Sequence, residues 1–290
     1  LRALFWCRRN GVPTMMISDS ELKTRRSKRT ELIKQLIVPR ILRRFDAFLT
    51  VGDCNEDYYV RYGVPRDKLF RSPFTIDEDT YQAAYRNRST MRAERRAELG
   101  LADDEVMVLT VAKLSPRKRP TDVIEVARWI KAAGNPAKIC FVMAGSGEEM
   151  DQIKKDVENE RLPVLMDGFV NVNILPTYYV AADILFHPAG IEPFGLVVPE
   201  AAAVGLPLII SKAVGALGRA SPARVNENAL VFSVGDIGEM AEKISTLAAV
   251  LERRKRMSVR SRDIFKQLDM TCSVNGALDA IRFVTVGSRK

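Results

Sequence analysis

Glu192 and Glu200 stand eight positions apart in the stretch GIEPFGLVVPEAAAVG, with Phe194, Gly195 and Pro199 between them. Proline breaks a helix interior, but in the first turn its missing N–H would have no partner anyway, so Pro199 predicts a helix that begins near Gly195. The amides of Gly195, Leu196 and Val197 then point out of the positive helix end, where glycine lets a ligand come close to the backbone. That is a place for an anion. Glu192 falls in the loop before the helix, and Glu200 about one turn inside it, leaning back towards the N-terminus. Carboxylates in contact with a phosphate would repel it, so the pair suits hydroxyls on either side of one, as a sugar-diphosphate-ribose carries. The spacing also fits two solvated residues, one in a loop and one on a helix.

Two further groups invite chemistry. His187 ends a strand just before Pro188 and close to Glu192, as a general base or as a strand-end residue lining the same pocket. Asp77-Glu78-Asp79 has the outline of a metal-binding D-x-D, but in a charged segment it reads as a solvated turn, and no metal or other cofactor is expected. Cys7, Cys54, Cys140 and Cys272 lie far apart with no C-x-x-C pair, which suggests neither zinc nor a disulfide framework and favours a reduced, cytoplasmic setting.

Short β-rich runs alternate with helical periodicity from Val106 onward: Val106 to Ala112, Ile139 to Ala144, Val164 to Met166, Ile184 to Phe186, Leu208 to Ser211 and Leu230 to Val234. Thr121 to Ala133 and Glu148 to Glu160 carry apolar residues at helical spacing. The alternation predicts an α/β fold with a parallel sheet covered on both faces. Before it, Val12 to Ile17 and Ala47 to Val51 are strand-like, and Glu56 to Tyr62 can form a helix ending at Gly63. So few strands predict part of a second, similar domain, with an exposed sheet edge or with strands outside this chain. Asp77 to Asp104 is highly charged and reads as a linker with a short helix around Arg92 to Leu99.

With 290 residues, of which 47% are hydrophobic, the chain is long enough for two folded domains. It starts at Leu1 without a methionine and so reads as an excerpt from a longer protein. Every long apolar run is broken well before about 18 residues, so no spanning helix is expected. The net charge of +9 suits nucleic acid, anionic lipid or a phosphate-bearing substrate. The basic run KTRRSKR (Lys23 to Arg29) precedes Leu32, Ile33, Leu36, Ile37, Ile41, Leu42 and Phe45, a periodic stretch interrupted at Pro39. It reads as a core helix with a solvated outer face, or as a peripheral contact with an anionic membrane through Lys23 to Arg44. That stretch has no interleaved aromatic residue, which argues against nucleic acid as a partner.

The segment EPFGLVVPEA resembles the E-x7-E signature of the retaining GT-B glycosyltransferases of family 4, the glycosyl transferases group 1. Other motifs follow the same pattern. VAKLSPRKRP places Lys113 at the family's arginine position and Lys118 at its lysine position, MAGSGEEM supplies a G-x-G turn at Gly145 and Gly147, and GFV brings Phe169 and Val170 to the segment that meets the base. ALVFSVGD is similar to the closing strand. The chain departs from the pattern at Ala189, where a serine is frequent, at Lys113, which lacks the bidentate fork of arginine, and at SPFTID in the hinge.

The resemblance implies two Rossmann-like domains with parallel sheets, the N-terminal one incomplete. Residues 1–76 would be acceptor-side, 77–104 a linker, 105–265 the nucleotide-sugar-binding domain and 266–290 a helical tail. It further implies a hexosyl-type transferase that takes a UDP or GDP sugar as co-substrate and acts with retention on a glycan, lipid-linked or small-molecule acceptor, in the cytoplasm or at the inner face of the membrane. Lys113, Lys118 and Glu192 would be catalytic. Gly145, Gly147, Phe169, Val170, Phe194, Gly195, Leu196 and Glu200 would bind the donor, with Glu200 on the ribose and Glu192 on the transferred sugar. A protein that binds nucleotide sugar without transferring it is the alternative.

Overall fold

The computed structural model describes residues 2–23 and 27–287. Its first part runs α1 (Arg2–Arg9), β1 (Met15–Ser18), α2 (Lys28–Leu42), β2 (Ala47–Thr50), α3 (Asp53–Arg61), β3 (Leu69–Arg71), α4 (Glu78–Arg86) and α5 (Arg88–Glu98). The second part runs β4 (Val106–Val111), α6 (Pro120–Ala132), β5 (Ile139–Ala144), α7 (Met150–Glu160), β6 (Val164–Gly168), α8 (Leu175–Ala181), β7 (Ile184–His187), α9 (Val197–Ala203), β8 (Leu208–Ser211), β9 (Ala229–Phe232), α10 (Ile237–Ala249), α11 (Leu251–Lys266) and α12 (Met270–Gly287).

Two parallel sheets organise the chain, one ordered β1-β2-β3 and the other β6-β5-β4-β7-β8-β9. The larger sheet is buried on both sides because successive strand residues point to opposite faces. On β4, Val106 and Val108 enter one apolar cluster with α6 and α10, whereas Met107 and Leu109 enter another with α8 and α9. β5 repeats this, with Ile139, Phe141 and Met143 on the first face and Cys140, Val142 and Ala144 on the second. Such strands must read as unbroken apolar runs, which is why Ile139–Ala144 and Leu208–Ser211 have the bounds the sequence predicts.

The smaller sheet packs Phe48 against Tyr58, Tyr59 and Tyr62 on one face. Its other face is covered by the end of the chain, where Ala280 and Val284 of α12 meet Ala47, and Phe283 lies 5.3 Å from Phe70. β3 is absent from the expected strands because three residues are too few to show a period. α2 differs as well. It runs through Pro39 to Leu42 rather than stopping there, and it presents Leu32, Ile33, Leu36 and Ile37 outward, each at least 50% exposed. Its buried apolar contact is made further along, by Val38 and Leu42 against the Phe48 and Tyr59 core. Residues 24–26 of the basic run lie outside the described residues.

The segment expected as a linker with one short helix folds as two helices, α4 and α5, packed on α8 and α9. Its arginines explain the difference. Arg96, only 3% exposed, donates to the carbonyls of Ala102 and Glu105 at 2.6 and 2.7 Å and reaches Asp183, which also accepts from Arg92 at 2.8 Å and from the Met107 amide at 2.9 Å. One carboxylate thus ties α5 to the start of β4 and to the turn before β7. Two of the three acids at its head are structural: Asp77 caps α4 through Thr80, and Glu78 accepts from the Met270 amide. Asp183→Ala leaves Arg96 buried with only carbonyl partners and is expected to lower stability by about 3 kcal/mol. Urea unfolding measures it, and a loss near zero would contradict this account of α5.

Candidate active site

In the order β6-β5-β4-β7-β8-β9, successive strands leave β4 in one direction until β6 and in the other from β7, so the order reverses between β4 and β7. Helices diverge at such a point and open a crevice beyond the carboxyl ends of the strands. A cleft of about 860 Å³ lies there. It is lined by Val111 to Lys113 after β4, Ala144 to Gly147 after β5, Phe169 and Val170 after β6, and His187 at the end of β7. Phe194 to Val197 and Glu200 close it from α9 and the loop before it. All eleven residues singled out in the sequence line this one cleft.

The glycines are fixed by packing. A Cβ on Gly145 would stand 1.8 Å from the Ala112 carbonyl oxygen, and one on Gly147 would stand 2.2 Å from that of Leu114. No larger residue fits where the turns after β4 and β5 run against each other, joined by the Leu114 amide donating to Ser146 at 3.0 Å. This contact shapes the floor of the cleft.

Glu192, 9% exposed, is the most tightly held acid of the site. Its Oε2 accepts from Lys118 Nζ and, at 3.0 Å, from His187 Nε2. A carboxylate only accepts, so Nε2 carries the proton, while the buried Nδ1 has no partner among the described residues. Burial opposes the charge on Glu192, but the bonds from His187 and Lys118 overcome it and hold the carboxyl down at about 2. Lys118, expected to stand ready for a diphosphate, is thus engaged with Glu192. The Lys113 side chain is exposed at the rim and makes no hydrogen bond or ion pair among the described residues.

Glu200 behaves differently. Burial pushes its carboxyl above the ordinary range, while the hydrogen bond from Tyr179 and the nearby Tyr81 hydroxyl pull the other way. The helix bearing it starts at Val197, two residues later than predicted, with Gly195 at φ +99°. The amides of Gly195, Leu196 and Val197 donate to no group among the described residues. Phe169 and Leu196 expose 77% and 48% of their surface there. Phe194 is instead 3% exposed and meets Phe74 edge-on at 5.2 Å, so it shapes the cleft wall from behind.

Sequence reasoning missed the groups that come from far along the chain. Asp19, from the loop after β1, and Phe74 and Thr75, from the crossover after β3, line the cleft opposite α9. Tyr81 and Tyr179 support Glu200 from α4 and α8. None carries a local signal, although Phe74 lies in the SPFTID segment that departs from the family pattern.

Lys118→Met removes one of the two donors that keep Glu192 charged. A carboxyl depressed in the folded state contributes stability above about pH 4.5, and that contribution is lost as pH falls towards about 2. The variant should therefore be less stable than the parent by about 2 kcal/mol at pH 7, with the gap narrowing below about pH 4 as Glu192 protonates first in the variant. Denaturant midpoints across this range provide the check, and a gap that stays constant down to pH 3 would refute it.

Residues 91–263 match the sequence profile of the family described as glycosyl transferases group 1. The chain is 29% identical over 210 residues to a D-inositol 3-phosphate glycosyltransferase of Nocardia farcinica, covering 69% of this chain and 44% of that protein. It is also 37% identical over 123 residues to an uncharacterized glycosyltransferase of Methanocaldococcus jannaschii, covering 41% of this chain and 30% of that protein. Each match thus spans less than half of the relative. Among solved structures, Anabaena HepE in complex with UDP superposes with a TM-score of 0.78 at 19% identity, over 96% of this chain and 74% of that one. The sucrose-phosphate synthase of Thermosynechococcus elongatus gives 0.71 at 21% identity, over 97% of this chain and 71% of that one. Both show a likeness of fold.

Proposed function

The chain belongs to the glycosyl transferases group 1 family, and from that membership we propose that it holds a nucleoside diphosphate sugar in the β4/β7 cleft and transfers a hexosyl unit, with retention, to an acceptor hydroxyl. The observation that carries this reading is the convergence of two lysines, three unpartnered amides and two carboxylates on one crevice. Lys113 and the amides of Gly195 to Val197 suit the diphosphate. Lys118, already beside Glu192, sits where negative charge grows as the bond from the anomeric carbon to the phosphate oxygen breaks. The acceptor oxygen bonds to that carbon on the face the phosphate leaves, and the acceptor proton passes to the departing phosphate oxygen. Glu192 accepts from hydroxyls of the sugar and Glu200 from the ribose, while Phe169 and Val170 lie against the base. Asp19, facing the cleft from the other sheet, suits the acceptor side.

A structural neighbour favours a UDP-type donor, since the Anabaena structure holds UDP. A glycan, a lipid-linked sugar or a small polyol would serve as acceptor. Calorimetric titration with UDP, GDP and ADP and their sugar conjugates tests the donor reading. One nucleotide should bind selectively, and Glu200→Ala and Lys118→Ala should each weaken it by roughly ten- to a hundredfold, the equivalent of one charge-assisted hydrogen bond. Equal affinities in parent and variants would rule out these roles, and binding without transfer to any acceptor would favour a binding protein over an enzyme.

A second surface supports contact with an anionic membrane. The exposed Leu32, Ile33, Leu36 and Ile37 of α2 lie on a helix that also carries Lys28, Arg29, Lys34 and Arg40, the combination that settles on acidic lipid. No helix among the described residues is long and apolar enough to cross a bilayer. The protein should float with phosphatidylglycerol vesicles and not with phosphatidylcholine ones, and replacing Leu32 and Leu36 by Ser should abolish flotation. Flotation unchanged in that variant would remove the membrane from the proposal.

A further inference from the structure

Glu200 is enclosed by two phenols from separate helices. Tyr179, fully buried on α8, donates its hydroxyl to Glu200 Oε2 at 2.5 Å. Tyr81, 2% exposed on α4, packs edge-on against Tyr179 with ring centroids 5.7 Å apart. Its hydroxyl is also turned towards the Glu200 carboxylate but completes no hydrogen bond there. Leaving a buried hydroxyl unpaired is costly, so a group this well packed and this poorly satisfied points to a partner that arrives or shifts when the cleft fills.

A carboxylate offers about four lone-pair directions. Tyr179 takes one on Oε2 and fixes the plane of the group, which leaves the face towards the cleft for two neighbouring donors. The adjacent hydroxyls of a ribose are such a pair. Resting on the reading that Glu200 accepts from the donor's ribose, we propose that Tyr179 and Tyr81 are positioning residues that set the site's preference for ribose over deoxyribose by locking the Glu200 carboxylate towards the 2′- and 3′-hydroxyls. Tyr179 holds the carboxylate in the empty site. Tyr81 completes its bond as the nucleoside draws Glu200 into its final position. Tyr81 comes from α4, outside the part of the chain that matches the family profile, so discrimination at the nucleoside end depends on a residue of the crossover segment.

A merely structural role for the two rings would lower stability and weaken all ligands alike. A positioning role changes a ratio. UDP and GDP, each against its 2′-deoxy counterpart, should be titrated into the parent, Tyr179→Phe, Tyr81→Phe and Glu200→Gln from pH 5 to 9, with melting temperatures recorded. The parent should prefer the ribonucleotide by about tenfold or more, since a site built for a hydroxyl is left with an unpaired acceptor by the analogue that lacks it. Tyr179→Phe should reduce that preference to within about threefold and move the acid limb of ribonucleotide binding to higher pH, because a buried carboxyl that loses a donor protonates more easily. Among the described residues the titratable groups acting on Glu200 are Tyr179 of α8 and Tyr81 of α4, and the nucleotide's own phosphate titrates alike in parent and variant. Tyr81→Phe should narrow the preference less, and it provides a second readout if Tyr179→Phe does not fold.

A parent that shows no ribose preference refutes the reading of Glu200 and this inference with it. A preference that Glu200→Gln abolishes but both phenylalanine variants keep refutes the inference alone.

Discussion

A carboxylate buried at the floor of a cleft must be compensated from several directions at once, and the groups that compensate Glu192 reach into every part of the molecule. His187 approaches from the end of β7 and Lys118 from the turn after β4, so the two strands that flank the topological switch are joined through one oxygen atom. The backbone is involved too. The Glu192 carbonyl accepts from the Gly215 amide at 2.9 Å, which places Val214 alongside, and the Val214 carbonyl in turn accepts from Lys23 Nζ at 2.7 Å. The loop after β8 therefore links the acid of the cleft to the smaller sheet.

That loop also joins the two parts directly. Asp53 at the head of α3 accepts from the Ala220 amide and pairs with Arg71, which also holds Glu56 and the Ala220 carbonyl. Arg71 lies at the end of β3, next to the chain that crosses to α4. The charges here hydrogen-bond to backbone as well as to each other, which makes the contact directional rather than merely attractive. α12 completes the joint from the far side, as Ser72 donates to the Ser273 carbonyl at 3.1 Å. The site is thus enclosed by a fold in which the last helix returns to the first sheet.

What the sequence makes legible follows from range. Strands buried on both faces announce themselves as apolar runs, and a glycine forced by a neighbouring backbone, as at Gly145 and Gly147, stays a glycine wherever the same turn is built. The carboxylate pair is local as well, because one short helix and the loop before it carry both members. α5 is the contrary case. RSTMRAERRAE looks like a solvated helix or a linker, since the partner that makes Arg96 a buried residue is Asp183, 87 positions away. Asp19 and Phe74 are silent for the same reason: nothing near them in sequence tells that a cleft will form opposite. Pro39 misleads in a simpler way, as a helix with an exposed face loses one hydrogen bond at proline and continues.

The crossover between the sheets does more than connect them. Within eight residues it places Phe74 against Phe194, two positions from Glu192, and Tyr81 against Tyr179 beside Glu200. The two acids that bracket the cleft are therefore both supported from one segment, which packs on the α8 and α9 face of the larger sheet. Asp77 caps α4 between these contacts, so the spacing of the two aromatic rings is held by the start of a helix rather than by a loose strand of chain. A change in the angle between the sheets would have to pass through this segment and would move both aromatic contacts together. Glu192 and Glu200 then respond as one unit, because the same short run of chain packs behind both.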